Sequence, residues 1–137
     1  MLYFELVVCP VEAALLTATP PAQFDPQRAA QQLRAAGAAR VLVTLGAQGV
    51  LIADEHGSSL EPALPMPVVD TTGAGDTFVG CFAAAIAEGR DLTDAVREAQ
   101  CAAALKVTRM GAQTAIPRRA EVEALRQRLP PSPATRS

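Results

Sequence analysis

The chain has 137 residues, of which 50% are hydrophobic and 19% charged, and its formal net charge is −2. This length and composition fit one ordinary globular domain and exclude a disordered tail. Because the sequence has no basic block, nucleic acid is not an expected partner, and no apolar run has the length that a bilayer requires. The first residues carry no Lys or Arg and do not resemble a secretion signal, which predicts a cytoplasmic protein without a membrane partner.

The cysteines and the single histidine form no metal-binding pattern. Cys9, Cys81 and Cys101 are odd in number and widely spaced, which argues against both a CxxC pair and a disulfide framework. His56 has no second histidine to complete a metal site. We interpret all four residues as structural or incidental.

The first elements in the chain are predicted to be a strand and two helices. Residues 4–9 are mostly apolar strand formers and end at a proline, which indicates a buried strand. Residues 11–17 are compatible with a brief helix. Asp25 then offers an N-cap with proline at the next position, which predicts a helix that ends near Gly37.

Two further buried strands are predicted at residues 41–45 and 49–53. The Gly46–Gly49 connection between them is short and rich in glycine, as a tight turn requires. The sequence Gly-Ser-Ser at 57–59 predicts another turn.

The second half of the sequence predicts three helices. One follows Asp76 and ends at Gly89, the next is capped by Asp91, and the last covers residues 118–129. The residues expected to be buried are Phe78, Val79, Phe82, Ala83 and Ile86 on the first helix, and Leu92, Ala95, Ala99, Ala102 and Leu105 on the second. Strands alternating with helices predict an α/β fold with a mainly parallel sheet.

The strongest chemical signal is the segment Asp-Thr-Thr-Gly-Ala-Gly-Asp-Thr-Phe at residues 70–78. Gly73 and Gly75 allow a sharp turn at a helix start and leave room for a bulky ligand. Free N–H groups and the positive helix end favour phosphate there. A carboxylate repels phosphate, so Asp76 suits the removal of a proton from an attacking hydroxyl. On spacing alone, a loop whose Asp76 only caps or solvates the helix explains the pattern equally well.

This segment is similar to the C-terminal signature of the ribokinase-like (PfkB) carbohydrate kinases. Residues 43–49 resemble the family's strand and glycine loop at the nucleotide, and residues 107–113, followed by Ile116-Pro117, resemble the segment near its monovalent-cation site. The resemblance implies the C-terminal part of a ribokinase-like three-layer α/β/α fold with a mainly parallel central sheet. In this interpretation residues 1–129 form a partial kinase domain, and residues 130–137 form a Pro-rich tail.

The resemblance also implies an activity. The expected reaction is transfer of the γ-phosphate of MgATP to a sugar hydroxyl, with D-ribose to ribose 5-phosphate as the first expectation. Asp76 is the implied base, and Gly73, Ala74 and Gly75 are the implied anion hole for the transferring phosphoryl group. Another sugar or nucleoside kinase of the family, such as a fructokinase, and a truncated nucleotide-binding remnant without catalysis remain alternatives.

ATP is the implied nucleotide. The residues that the resemblance places at its phosphates and ribose are Thr44, Leu45, Gly46, Ala47, Gln48, Gly49, Gly75 and Asp76. Gln100 is placed beside the adenine. No Walker A sequence and no GxGxxG after a strand is present, which argues against a P-loop ATPase and a nicotinamide or flavin dehydrogenase.

Two metal ions are implied in the same way. For a monovalent cation such as K⁺, the implied ligands are oxygens of Asp70 and Thr72 and the backbone carbonyls of Lys106, Arg109 and Gly111. For Mg²⁺, Glu12 is the implied contact, through water.

The sequence departs from the family pattern in two respects. The family's Asn-x-x-Glu motif is Cys9-Pro10-Val11-Glu12 here, and a cysteine cannot replace the hydrogen bonds of the amide. The family's N-terminal half, with its lid and most sugar-binding residues, has no counterpart in these residues, so the sequence does not select the sugar. Strand edges that such a half would cover favour association, and a homodimer is one expected outcome.

Overall fold

The computed structural model describes residues 5–111 and 116–130. Phe4 of the first predicted strand, Ala112 and Gln113 of the third matching segment, and residues 131–137 of the predicted tail lie outside these ranges. Within them the chain divides into two compact units, residues 5–62 and residues 63–130. The assignment of residues 1–129 to one partial kinase domain stays a prediction.

The first unit is a four-stranded sheet with helices. Its strands are β1 (Glu5–Val8), β2 (Arg40–Thr44), β3 (Val50–Asp54) and β4 (Gly57–Glu61), and its α-helices are α1 (Pro10–Leu16) and α2 (Pro26–Ala35). The strand order is β1-β2-β3-β4, with β1 and β2 parallel and the other two pairs antiparallel.

The apolar pattern of these elements explains the core of the first unit. Ala29, Ala30 and Leu33 lie on one side of α2, as the helical period predicts, and pack against the buried valines of β2. Asp25 caps α2 by accepting a hydrogen bond from the backbone N–H of Gln27 at 3.1 Å, which confirms the predicted helix start.

Two predictions for the first unit are corrected by the structure. The α/β class is confirmed, but the described sheet is mixed, because very short connections follow β2 and β3 and such connections can join only antiparallel strands. Residues 57–59 are part of β4 and not a turn. Asp54 pairs with Gly57, so the turn residues are Glu55 and His56.

The second unit consists of α3 (Ala74–Ala87), α4 (Leu92–Val107) and α5 (Arg119–Arg128). Asp91 caps α4 by accepting a hydrogen bond from Asp94 N–H at 2.8 Å, and Gly89 follows the end of α3 with a φ of 86°, both as predicted. None of the described helices is long and apolar enough to cross a membrane.

The buried face of α3 differs from the predicted one. Phe78, Phe82 and Ala85 are buried, and the two phenylalanine rings stack with their centroids 6.2 Å apart. Val79 and Ala83 were expected in the core but are exposed. Successive helical residues are separated by about 100° around the axis, so these two lie one step away from the buried stripe.

Candidate functional site

The glycine loop, residues 70–75, carries the chain into α3 through a left-handed residue. Gly73 is the N-cap of α3 and has a φ of 76°, a conformation that costs any residue with a Cβ about 1–2 kcal/mol. The helix then starts at Ala74, whose N–H donates to the carbonyl of Thr71 at 3.1 Å. Gly73 is therefore required by the backbone.

Gly75 lies in the first turn of α3, where the fold gives no reason for a glycine. Its φ is not positive, and a Cβ added there would have no atom within 4 Å. Among the described residues, no backbone acceptor is bonded to the N–H of Gly75 or of Asp76. The positive end of a 14-residue helix thus presents free donors beside open space, which suits a bulky anion.

Asp76 follows directly in the same turn, and its side chain is exposed. Among the described residues, none donates a hydrogen bond to the carboxylate of Asp76, so this side chain does not cap the helix. Its carboxylate is available to solvent or to a ligand at the helix N-terminus. This is the position that a general base for a substrate hydroxyl needs.

Asp70 holds the start of the glycine loop. One of its carboxylate oxygens accepts the N–H of Thr72 at 2.9 Å, and the other accepts the N–H of Gly111 at 3.1 Å. The hydrogen bonds from Thr72 and then from Gly111 lower the pKa of Asp70 to about 2, and the positive charge of Lys106 adds to the effect. Asp70 is therefore ionised at neutral pH and engaged on both oxygens.

Lys106 completes this arrangement from the C-terminal part of α4. Its side chain is 0% exposed, and its ammonium donates to the carbonyl of Thr72 at 2.5 Å and to the carbonyl of Gly111 at 2.6 Å. Backbone hydrogen bonds also join the start of the glycine loop to the end of α4, because the N–H groups of Val69 and Asp70 donate to the carbonyl of Val107 at 2.7 and 3.0 Å.

The structure brings four of the five residues of the expected K⁺ site together: Asp70, Thr72, Lys106 and Gly111. The fifth, Arg109, lies in the same segment and pairs with Glu121, the closer N···O distance being 2.5 Å. Sequence reasoning considered only the backbone carbonyl of Lys106 and missed its ammonium. A signal was present, because Ala95, Ala99, Ala102 and Lys106 follow the helical period and so place the lysine on the buried stripe.

Residues 44–49, which are expected at the ATP phosphates and ribose together with Gly75 and Asp76 of α3, lie in the first unit, at the turn between β2 and β3. Gly46, Ala47 and Gln48 form a single 3₁₀ turn and are exposed. The turn is closed by a hydrogen bond from Leu45 N–H to Gly49 carbonyl at 2.8 Å. Thr44 ends β2, and its hydroxyl donates to the carbonyl of Val8 at 3.4 Å. A tight turn explains these residues, so their contact with nucleotide stays a prediction.

Gln100 and Glu12 are the remaining predicted contacts. Gln100 lies in the middle of α4 and is only 8% exposed, and its place beside the adenine stays a prediction. Glu12 is exposed on α1, where it accepts the N–H of Cys9 at 2.9 Å. That hydrogen bond lowers the pKa of Glu12, so the carboxylate is charged at neutral pH, as a contact to the water shell of Mg²⁺ requires.

Comparison with known proteins shows similarity to ribokinases. Ribokinase of Bacillus subtilis is 48% identical over 87 residues, which are 64% of this chain and 30% of that protein. The structure of Arabidopsis thaliana ribokinase complexed with ribose and ATP aligns with a TM-score of 0.83 at 34% identity, over 90% of this chain and 41% of that one. An Escherichia coli protein assigned as ribokinase II, in complex with ATP and Mg²⁺, gives 0.81 at 30% identity, over 91% and 39%.

This chain therefore spans between 30% and 41% of the length of these three proteins. The family profile described as pfkB family carbohydrate kinase matches residues 8–119, which is well over half of the chain. The glycine loop, Asp76 and all of α4 lie within the match. The chain belongs to the pfkB family of carbohydrate kinases.

Proposed function

We propose that this chain carries the catalytic base and the phosphate-binding helix N-terminus of an ATP-dependent sugar kinase. The reaction is transfer of the γ-phosphate of MgATP to a sugar hydroxyl, with D-ribose as the first candidate acceptor and ribose 5-phosphate as the product. The observation that carries the proposal is the first turn of α3, where the exposed carboxylate of Asp76 follows the unbonded N–H of Gly75, within the residues that match the family.

In this proposal Asp76 accepts the proton of the sugar hydroxyl as that oxygen attacks the γ-phosphorus. A new P–O bond forms, the bond between the γ-phosphorus and the bridging oxygen breaks, and ADP leaves with the electron pair. The N–H groups at the start of α3 stabilise the charge on the transferring group, because they are fixed in direction before the reaction. Mg²⁺, when bound with ATP, neutralises phosphate charge.

The remaining contacts belong to the same proposal. Residues 44–49 line the phosphates and ribose of ATP, Gln100 lies beside the adenine, and Glu12 reaches Mg²⁺ through water. The charged state of Glu12 and the exposure of residues 46–48 support these roles. The proposal does not include K⁺ as a cofactor, because the ammonium of Lys106 binds the carbonyl of Gly111, which is one of the expected K⁺ ligands.

The test is ADP formation from ATP in the presence of ribose, deoxyribose, fructose or a nucleoside. We expect Asp76→Asn to lower sugar-dependent turnover by about 10²–10⁴-fold while nucleotide affinity and Tm are retained. Asp94→Asn is the matched control, since Asp94 is also an exposed aspartate at the third position of a helix. It should leave turnover unchanged.

Two results would contradict the proposal. Equal turnover in the wild type and Asp76→Asn would remove Asp76 as the base. ATP binding without turnover on any acceptor would favour the non-catalytic nucleotide-binding alternative. A preference for fructose or a nucleoside would keep the mechanism and replace ribose as the acceptor.

A further inference from the structure

Lys106 is the only lysine in the sequence, and it is completely buried. Lysine is almost never fully buried unless its charge is compensated. Here the ammonium donates to two backbone carbonyls, those of Thr72 and Gly111, at 2.5 and 2.6 Å, and the charged carboxylate of Asp70 interacts with it electrostatically. The lysine therefore joins residues that are far apart in the sequence.

Asp70 and Lys106 both bind the backbone of Thr72 and Gly111. Thr72 and Gly111 each donate a backbone N–H to the carboxylate of Asp70 and each accept a hydrogen bond from Lys106 on their carbonyl. Thr72 directly precedes Gly73, and a Cβ built on Gly73 would lie 3.7 Å from the Cε of Lys106. The lysine side chain thus lies beside Gly73, the N-cap residue of α3.

We propose that the ammonium of Lys106 acts as a built-in monovalent cation that holds the glycine loop, so that this site needs no K⁺. Backbone carbonyl oxygens are the ligands that replace the hydration shell of K⁺ in proteins. An ammonium carries the same charge and has three donors, and here it binds two of the expected ligands, the carbonyls of Thr72 and Gly111. Lys106 is in this sense a positioning residue. The inference does not rest on the proposed function, because it concerns how the loop is held.

The described residues do not fit a K⁺ ion in addition to Lys106. The ion would share the carbonyls of Thr72 and Gly111 with a buried ammonium, and two like charges a few ångströms apart repel each other. This differs from the expectation drawn from the family resemblance. The difference lies in one side chain, so it can be tested by changing that side chain.

The first experiment compares the wild type with Lys106→Ser and Lys106→Met by thermal unfolding. The salts are potassium, lithium and tetramethylammonium chloride, each at an ionic strength of about 0.15 M. We expect the wild-type Tm to be the same in all three. Both variants should unfold about 5 °C lower in tetramethylammonium, because the carbonyls of Thr72 and Gly111 lose their charged partner.

The two variants should differ in how far K⁺ restores their Tm. Serine vacates the space of the ammonium, so K⁺ should restore at least about half of the lost Tm of Lys106→Ser, whereas Li⁺ restores less. Methionine fills the space without a charge, so Lys106→Met should not respond. Arg28→Met is the control for loss of one positive charge, because Arg28 is exposed on α2. A saturable, K⁺-selective rise in the wild-type Tm would overturn the proposal, as would an equal response of the two variants.

A second measurement uses the wild type alone and keeps the proposal testable if the variants do not fold. Because the chain has one lysine, ¹⁵N-lysine labelling gives a single side-chain ammonium signal in NMR. A buried ammonium bound to two carbonyls exchanges slowly with water and gives a sharp signal at neutral pH. We expect that signal to be unaffected by K⁺. A signal that exchanges like free lysine, or that K⁺ displaces, would contradict the assignment.

Discussion

Two glycine pairs in this molecule look alike in sequence but stand in different relations to the fold. Gly46 and Gly49 both have positive φ values, 58° and 107°, and the turn they form is closed by backbone hydrogen bonds. Gly73 also has a positive φ, but Gly75 has neither a positive φ nor a crowded Cβ position. A glycine that the backbone requires says little about function. A glycine that the backbone does not require, and that stands among unbonded N–H groups at the start of a helix as Gly75 does, is a candidate for contact with a ligand.

Gly75→Ala is the sharpest test of this difference and, among the glycine variants, has the largest expected effect on turnover. The new methyl group enters the space that the proposal gives to phosphate, so sugar-dependent turnover should fall at least about tenfold. Stability should rise by up to about 1 kcal/mol, because alanine favours the helix more than glycine does. ADP formation checks the expected loss of turnover, and Tm measured on the same sample checks the expected gain in stability.

The control for Gly75→Ala is Gly80→Ala, in the same helix. Gly80 is exposed and a Cβ there meets no atom within 4 Å. It should gain the same stability with unchanged turnover. If the two variants behave alike in turnover, Gly75 has no role at the ligand and the contrast between the glycine pairs disappears.

Gly49→Ala should have the largest effect on stability. Gly49 has a φ of 107° and a ψ of −147°, a region that is nearly closed to residues with a Cβ and costs about 1–3 kcal/mol. Gly49 is also buried, so the turn has little freedom to adjust. Urea unfolding should show the loss. A variant as stable as the wild type would mean that the turn is not fixed as described.

Gly46→Ala and Gly73→Ala should each cost less, about 1–2 kcal/mol, because both residues have the milder left-handed conformation. Gly46 has open space around its Cβ position, and Gly73 has only the ordinary contact to Lys106. Urea unfolding compares the two directly. A cost above that of Gly49→Ala at either position would break the ranking by backbone conformation.

The sequence was sufficient for most elements because their ends carry local signals. Asp25 and Asp91 cap helices by side-chain hydrogen bonds to the next turn, which is a short-range pattern. The hairpin after β3 was missed because Ser58 and Ser59 have the composition of a turn. Their strand geometry comes from pairing with β3, which opposes Ser59 to Ile52. The buried face of α3 was misjudged because its residues are almost all apolar and so give no contrast.

The candidate site also has a part that the sequence could predict and a part that it could not. The glycine loop and Asp76 are contiguous in sequence, so a sequence motif is enough to propose them. The ammonium of Lys106 binds a carbonyl 34 residues away, and no pattern along the chain specifies that contact. The role of a side chain within a tertiary network depends on the folded chain, even where the sequence already names the residue.

Low pH should weaken the glycine loop but not the turn at Gly46 and Gly49, and this is the smallest of the predicted effects. The turn at Gly46 and Gly49 is closed by backbone groups that do not titrate, whereas the glycine loop is held by the carboxylate of Asp70. Because hydrogen bonds lower the pKa of Asp70 from 3.8 to about 2, its ionised form favours the folded state. This contribution is complete above pH 3.8 and is lost as the pH falls through about 2.

The backbone N–H signals of Thr72 and Gly111 should therefore shift in NMR with a midpoint near pH 2, while that of Leu45 stays constant. Asp70→Asn should be less stable than the wild type at neutral pH, and the difference between the two should shrink between pH 3.8 and 2. A midpoint near 3.8 for Thr72 and Gly111 would show that Asp70 does not bind these amides. Without those bonds the glycine loop would lose the anchor that distinguishes it from the turn, since the carboxylate is the only group in this network whose charge changes in that range.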